Sequence, residues 1–104
     1  MNRKFLAALI LTVATATAQA VPFAKGDAEA GKVLFDKNNC SSCHVSKFGG
    51  DGSKMFTRAD RKIKSAASLA TQITRCTTNL SLMLFEEDEE SIAAYLNKSY
   101  YKFK

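Results

Sequence analysis

Apolar residues recur at helical spacing between residues 27 and 37. Asp27 can accept hydrogen bonds from the first free backbone N–H groups and so start a helix that ends at about Lys37. Its apolar face would consist of Ala30, Val33, Leu34 and Phe35. Gly31 lies inside this helix, where glycine costs about 1 kcal/mol relative to alanine. We therefore expect Gly31 to have a packing role, as a place where another backbone comes close.

Two further segments repeat the helical pattern. Ser65 can start a second helix that extends to the neighbourhood of Cys76, with one apolar side made of Ala66, Leu69, Ala70 and Ile73. Residues 86–97 predict a third helix with Ile92, Ala93, Tyr95 and Leu96 as its apolar positions. The acidic run at residues 86–90 lies in the first turns of this helix, where negative charge complements the helix dipole.

The remaining chain shows no sustained alternation of apolar and polar residues, so the predicted fold class is all-α. Residues 45–64 contain Gly49, Gly50 and Gly52 and many charges, and they read as a loop. A structureless loop of this length is uncommon in a small domain, so we expect it to pack on something large. Phe48, Met55 and Phe56 are the candidate side chains for that contact.

The first 20 residues predict a secretory signal peptide. Arg3 and Lys4 precede a short apolar run, and Ala18-Gln19-Ala20 is a cleavage site of the small-x-small type. The run is shorter than the roughly 20 apolar residues that a membrane-spanning helix needs. We therefore expect cleavage near Ala20, a single domain at residues 21–104, no membrane span after cleavage, and a periplasmic location.

The charge of the chain does not indicate nucleic-acid binding. The formal net charge of +5 includes Arg3 and Lys4 of the predicted leader. The other basic side chains are dispersed, apart from a stretch at Lys54, Arg58, Arg61, Lys62 and Lys64. This stretch is interpreted as a solvated face or as a docking patch for an acidic redox partner protein.

The most informative motif is Cys40-Ser41-Ser42-Cys43-His44. A Cys-x-x-Cys-His pentapeptide is the attachment signature of c-type haem. Two thiols at this spacing can each form a thioether with one haem vinyl group, and the following imidazole can bind the iron. The sequence thus predicts Cys40 and Cys43 as covalent anchors of one haem c and His44 as its proximal ligand.

Zinc sites and redox dithiols also use Cys-x-x-Cys spacing. A zinc site needs four ligands, but outside the pentapeptide the chain has only one more cysteine, Cys76, and no second histidine. A thioredoxin-like dithiol follows a strand, and no strand is predicted here. Haem attachment is the interpretation that agrees with a small exported domain.

Three features carry a resemblance to a known family: the position of the motif near the start of the mature chain, the segment Gly-Asp-Ala-Glu-Ala-Gly-Lys-Val-Leu-Phe before it, and a helix with Tyr-Leu near the end. The chain resembles the class I cytochromes c over residues 25–97. The resemblance implies a small cytochrome c fold with three to four helices around one covalent haem. It also implies that the terminal helices cross, with Gly31, Phe35, Tyr95 and Leu96 at the contact. The function that it implies is electron transfer between redox partner proteins, without enzymatic activity.

In that family a methionine before the last helix usually supplies the sixth iron ligand. Met83 has this position here, whereas Met55 follows His44 by only eleven residues. Met83 is therefore the predicted distal ligand, and Met55, Asn79, Cys76 or no residue at all are the alternatives. A thioether ligand raises the reduction potential of the iron.

The C-terminal half is also similar to the small ligand-binding cytochromes typified by sphaeroides haem protein and cytochrome c″. In those proteins a detachable distal ligand lies just before a cysteine, and here Arg75 and Cys76 occupy these places, with Leu84 at the place of the disulfide partner. A five-coordinate haem that binds small gases is the alternative function. Cys76 is an odd thiol, and burial, an intermolecular disulfide and iron ligation are its possible roles.

Overall fold

The computed structural model describes residues 21–41, 44, 49, 50 and 52–104. Within these residues the secondary structure is helical and contains no strand, which confirms the predicted all-α class. The elements are α1 (Ala28–Lys37), α2 (Lys54–Thr57), α3 (Ala66–Asn79) and α4 (Glu86–Leu96), followed by a π-helical turn (Asn97–Tyr101). The predicted signal peptide lies outside the described residues. No helix in the described part of the chain is long and apolar enough to cross a membrane.

The three main helices begin where the sequence predicts. The Asp27 carboxylate accepts hydrogen bonds from the backbone N–H groups of Glu29 and Ala30, at 3.0 and 3.2 Å. Ser65 caps α3 through the backbone N–H of Ser68, at 3.1 Å. These side chains replace the helical partners that the first N–H groups lack. At its other end α3 continues beyond Cys76 to Asn79.

Helix α1 packs against α4 at Gly31. Gly31 is buried, and a methyl group at its Cα would overlap the backbone carbonyl of Ser91. A second contact fixes the same crossing, because the backbone N–H of Asp27 donates to Ser91 Oγ at 3.1 Å. Phe35 and Tyr95 also meet there, with ring centroids 5.6 Å apart. The predicted crossing of the terminal helices is confirmed.

The buried core combines side chains from all four helices and from the C-terminal turn: Phe35, Phe56, Leu69, Ile73, Ile92, Ala93, Leu96 and Tyr101. Phe56 belongs to the segment that the sequence predicts as loop, so that prediction is wrong for residues 54–57, which form α2. This short helix is stabilised by the packing of Phe56, whose ring centroid lies 6.2 Å from that of Phe35 and 5.7 Å from that of Tyr101. Phe48 lies outside the described residues.

One member of the acidic run has a specific partner. Thr77, buried on α3, donates from Oγ1 to Glu89 Oε1 at 2.9 Å. The rest of the run is consistent with the predicted helix start, because Glu86, Glu87 and Asp88 occupy the first turn of α4. The Thr77–Glu89 hydrogen bond thus joins α3 to α4 directly.

Replacing Gly31 with alanine should destabilise the protein, because the added methyl group must push α4 away from α1. The expected loss in the free energy of unfolding is about 1–3 kcal/mol, typical of an overpacked contact, and it outweighs the gain of about 1 kcal/mol in helix propensity. Denaturant unfolding of the holoprotein measures this change. Ala30→Gly, at the exposed neighbouring position, is the matched control and should cost only about 1 kcal/mol. A Gly31→Ala protein as stable as the wild type would show that the close crossing is not required.

Candidate functional site

A cavity of about 640 Å³ opens between the four helices and the C-terminal turn. This volume lies within the range of roughly 300–1,000 Å³ that is usual for cofactor sites. Its wall contains Cys40 and His44 from the pentapeptide, Phe56 from α2, Ile73 from α3 and Tyr101 from the turn. The fold therefore brings the described residues of the motif to an apolar cavity.

Cys40 lies in the turn that follows α1, and a backbone hydrogen bond to that helix fixes its position. Its backbone N–H donates to the carbonyl oxygen of Phe35 at 3.1 Å. Burial raises the pKa of the Cys40 thiol, and the charge of a Cys76 thiolate nearby raises it further. Cys40 therefore presents a protonated thiol to the cavity. Such a thiol could hold a haem vinyl group through a thioether, a bond that would need no oxidant.

His44 has the properties of a metal ligand. Burial lowers the pKa of its imidazole, which favours the neutral form that binds metals. The buried Nδ1 atom of His44 has no hydrogen-bond partner in the described part of the structure. An unpaired polar atom in a buried position is costly and indicates a missing partner. The ring is held by an edge contact with Phe56, with centroids 5.3 Å apart.

Cys43 lies outside the described residues, so its thioether stays a prediction from the motif. In the described part of the chain, no group of three or more His, Cys, Asp or Glu side chains is arranged to hold a metal ion. These residues therefore do not assemble the ligand set that the zinc interpretation needs.

The structure does not bring Met83 to the cavity. Its side chain is 96% exposed, and it is not part of the cavity wall. A thioether in solvent cannot bind an iron inside the cavity, so ligation by Met83 requires residues 80–85 to rearrange, and it stays a prediction. Of the alternatives, Met55, Cys76 and Asn79 all line the cavity.

Cys76 is half-buried on α3 and faces the cavity. Its Sγ atom accepts a hydrogen bond from Gln72 Nε2 at 3.3 Å. Arg75, the residue before it, is exposed and is not part of the cavity wall. The distal position suggested by the similarity to cytochrome c″ therefore does not coincide with a cavity residue here, and that similarity is not confirmed.

The sequence predicts that the aromatic tail at residues 99–104 folds back over the core, and the buried Tyr101 agrees with this, but the contact between Arg61 and Tyr101 was not predicted. Arg61 belongs to the basic stretch interpreted as a solvated face or docking patch, yet its guanidinium lies 5.3 Å from the ring centroid of Tyr101. Both residues line the cavity. The sequence shows an aromatic residue after the last helix and a basic stretch at residues 54–64. Neither pattern indicates that Tyr101 and Arg61 pack together.

The fold and the cavity together define a small helical protein built to hold a haem. A family model described as cytochrome c matches residues 28–99, and no similar curated protein or solved structure was found. The chain belongs to the cytochrome c family. Family membership implies a covalently bound haem c and electron transfer as the class of function, and members are typically carriers and not enzymes.

The residues of the cavity fit this cofactor. A covalent haem requires a thiol, an imidazole ligand and an apolar wall. The cavity offers a protonated thiol at Cys40, a neutral imidazole at His44 whose buried nitrogen has no partner among the described residues, and a wall rich in apolar side chains. The bound haem would supply one-electron Fe(III)/Fe(II) chemistry. Cys40 and His44 would hold it, and the apolar wall would keep water away.

His44→Ala should change the ferric absorption spectrum, because the iron loses its imidazole ligand while the cysteines still retain the cofactor. Optical spectra of the purified protein, with a denaturing gel stained for covalent haem, measure both properties. Gln72→Ala removes another polar side chain from the cavity wall and serves as the control, with retention of imidazole ligation. An unchanged spectrum in His44→Ala would remove the proximal assignment.

The position of Cys76 predicts its behaviour on oxidation. Since its thiol faces the cavity and is half-buried, mildly oxidised holoprotein should run as a monomer on a non-reducing gel. Cys76→Ser is the matched control and should give the same band. A dimer that appears only in the protein with Cys76 would show that this thiol is accessible to a second molecule.

Proposed function

We propose that this protein is an exported cytochrome c that carries one haem and transfers single electrons between redox partner proteins in the periplasm. The observation that carries the proposal is the position of His44, whose buried Nδ1 has no partner among the described residues, in the wall of an apolar cavity that Cys40 also lines. Export is supported by the predicted leader at residues 1–20 and by covalent haem attachment. One pentapeptide supports one haem.

The composition of the cavity favours electron transfer over catalysis. Outer-sphere transfer of an electron needs no acid or base, and His44, the only histidine of the chain, is committed to the iron. The charged part of the wall consists of Arg58, Asp60, Arg61 and Lys62. Of these, Arg58, Asp60 and Lys62 are exposed, so this side of the cavity reaches the protein surface. A partner protein that binds there comes close to the cofactor.

Arg58 and Lys62 give this surface a basic character, although Asp60 pairs with Arg58 through two hydrogen bonds of 2.8 Å. Exposed charges of this kind act mainly on the rate of encounter and on specificity. A redox partner with an acidic docking surface is therefore the expected match. Its association rate should fall as the ionic strength rises.

A second candidate function is reversible binding of a small gas such as carbon monoxide or nitric oxide. The observation in its favour is the position of Met83 in solvent. The cavity wall also contains the amides of Gln72 and Asn79, which could donate hydrogen bonds to a bound diatomic molecule. A five-coordinate iron, with His44 as its only axial ligand from the protein, would have room for such a ligand.

The electron-carrier proposal predicts a low-spin ferric spectrum and a ferrous spectrum that does not respond to carbon monoxide. Both follow from a sixth protein ligand, which blocks access to the iron. The measurement is the optical spectrum of each state with and without the gas. A high-spin ferric form, or rapid uptake of carbon monoxide by the ferrous form, would contradict the carrier function and favour gas binding.

If the iron is six-coordinate, single variants identify the ligand. Met55→Leu, Cys76→Ser and Asn79→Ala each remove one donor from the cavity wall, and Met83→Leu removes the exposed thioether. The variant that converts the spectrum to high spin and admits carbon monoxide has lost the sixth ligand. Met55→Leu and Met83→Leu form a matched pair, because both exchange a methionine for a side chain of similar volume.

A further inference from the structure

Residues 100–103 lie beyond the part of the chain that matches the family model, and hydrogen bonds hold them in a defined conformation. The match ends at residue 99. After it, Phe103 is tied to Asn97 by two hydrogen bonds: the Asn97 side-chain amide donates to the carbonyl oxygen of Phe103 at 3.1 Å, and the backbone N–H of Phe103 donates to Asn97 Oδ1 at 2.7 Å. Lys102 makes the turn between them with a φ of 59°. We call residues 100–103 the C-terminal tail.

The C-terminal tail places two aromatic rings beside Arg61. The rings of Tyr101 and Phe103 are stacked, with centroids 5.3 Å apart and an angle of 22° between their planes. The guanidinium carbon of Arg61 lies 5.3 Å from the centroid of Tyr101 and 5.8 Å from that of Phe103. Distances below about 6 Å allow attraction between the cation and the faces of both rings. Tyr101 is buried, so this contact fixes Arg61 against the core.

Among the described residues, no carboxylate pairs with the partly buried cation of Arg61. Its Nε atom donates to the carbonyl oxygen of Ile63 at 3.3 Å. No carboxylate of the described residues forms a salt bridge with it, whereas its neighbour Arg58 has Asp60 at 2.8 Å. Partial burial of a charge is costly without an anion nearby. Arg61 lines the cavity, so an anionic group of a molecule bound there would be within reach of its guanidinium.

We propose that Arg61 pairs with a carboxylate of the bound haem and that the C-terminal tail positions Arg61 for this contact. The inference rests on the proposed function, since it needs a haem in the cavity. The guanidinium is a planar fork that matches a carboxylate with two parallel hydrogen bonds. Its Nε atom is occupied by Ile63, and the two terminal nitrogens remain for the carboxylate. The rings of Tyr101 and Phe103 in the tail restrict the orientation of the Arg61 guanidinium.

Pairing of Arg61 with a haem carboxylate should raise the reduction potential of the iron. The haem carboxylates are negative and stabilise the ferric state, which carries one more positive charge than the ferrous state. A cation that neutralises a carboxylate weakens this effect and raises the potential. Arg61 is therefore a positioning and charge-compensating residue, and its removal should lower the midpoint potential of the protein.

Spectroelectrochemical titration of the holoprotein tests the role of the cation. Arg61→Gln should lower the midpoint potential, and Arg61→Lys should restore much of it, because lysine keeps the charge but loses the fork and the stacking. Lys64→Gln is the matched control, since it removes the same charge from an exposed position outside the cavity wall. Equal shifts in Arg61→Gln and Lys64→Gln, or no shift in either, would overturn the proposal.

The role of the C-terminal tail needs a variant that leaves Arg61 in place. Phe103→Leu removes one ring beside the guanidinium and keeps an apolar side chain of similar size. Its midpoint potential should shift in the same direction as that of Arg61→Gln, and the double variant should show no further shift, because the tail acts through Arg61. Loss of thermal stability in Phe103→Leu without a change in potential would mean that the tail only stabilises the fold.

These outcomes also separate the inference from the proposed function. A purified wild-type protein without covalent haem would contradict the proposed function and the inference with it. A wild-type protein that carries haem, but whose potential is insensitive to Arg61, would contradict the inference alone.

Discussion

The close crossing of α1 and α4 at Gly31 is the constraint on which the rest of the structure depends. Backbone approaches backbone there, with Ser91 opposite Gly31 and the Ser91 hydroxyl bound to the N–H of Asp27. This contact sets the direction in which α1 ends, and the chain that leaves α1 is the chain that carries Cys40 and His44. A larger residue at position 31 would move the helix and, with it, Cys40, the predicted first anchor of the cofactor.

The cavity next to this crossing combines three different chemical environments. Cys40 and His44 are desolvated, and burial keeps the first as a thiol and the second as a neutral imidazole, the forms needed for thioether formation and for iron ligation. The central wall is apolar and comes from all four helices. At the surface side Arg58, Asp60 and Lys62 are exposed. In the proposed function, attachment, exclusion of water and contact with a partner would therefore be separated along one cavity.

A cofactor also explains how so small a chain is stabilised. The core of the described residues contains eight buried hydrophobic side chains, and a domain of this size has little other apolar area to bury. A covalent macrocycle adds contacts on both sides of the cavity. Tyr101 of the C-terminal tail is buried and lines the same cavity, so the tail contributes to the core.

The sequence by itself determined the helical class, the helix starts at Asp27 and Ser65, the crossing at Gly31, and the haem motif at Cys40, Cys43 and His44. The class, the helix starts and the motif depend on local patterns: a capping side chain, a repeat of apolar positions and a fixed spacing of ligands. The crossing at Gly31 was expected from the resemblance to class I cytochromes c. Only the tertiary structure decided that residues 54–57 form a helix, that Met83 points to solvent while Met55 and Cys76 face the cavity, and that Arg61 lies against Tyr101 and Phe103. Each of these depends on contacts between residues far apart in the chain, and a local pattern carries no information on which distant side chain will cover it.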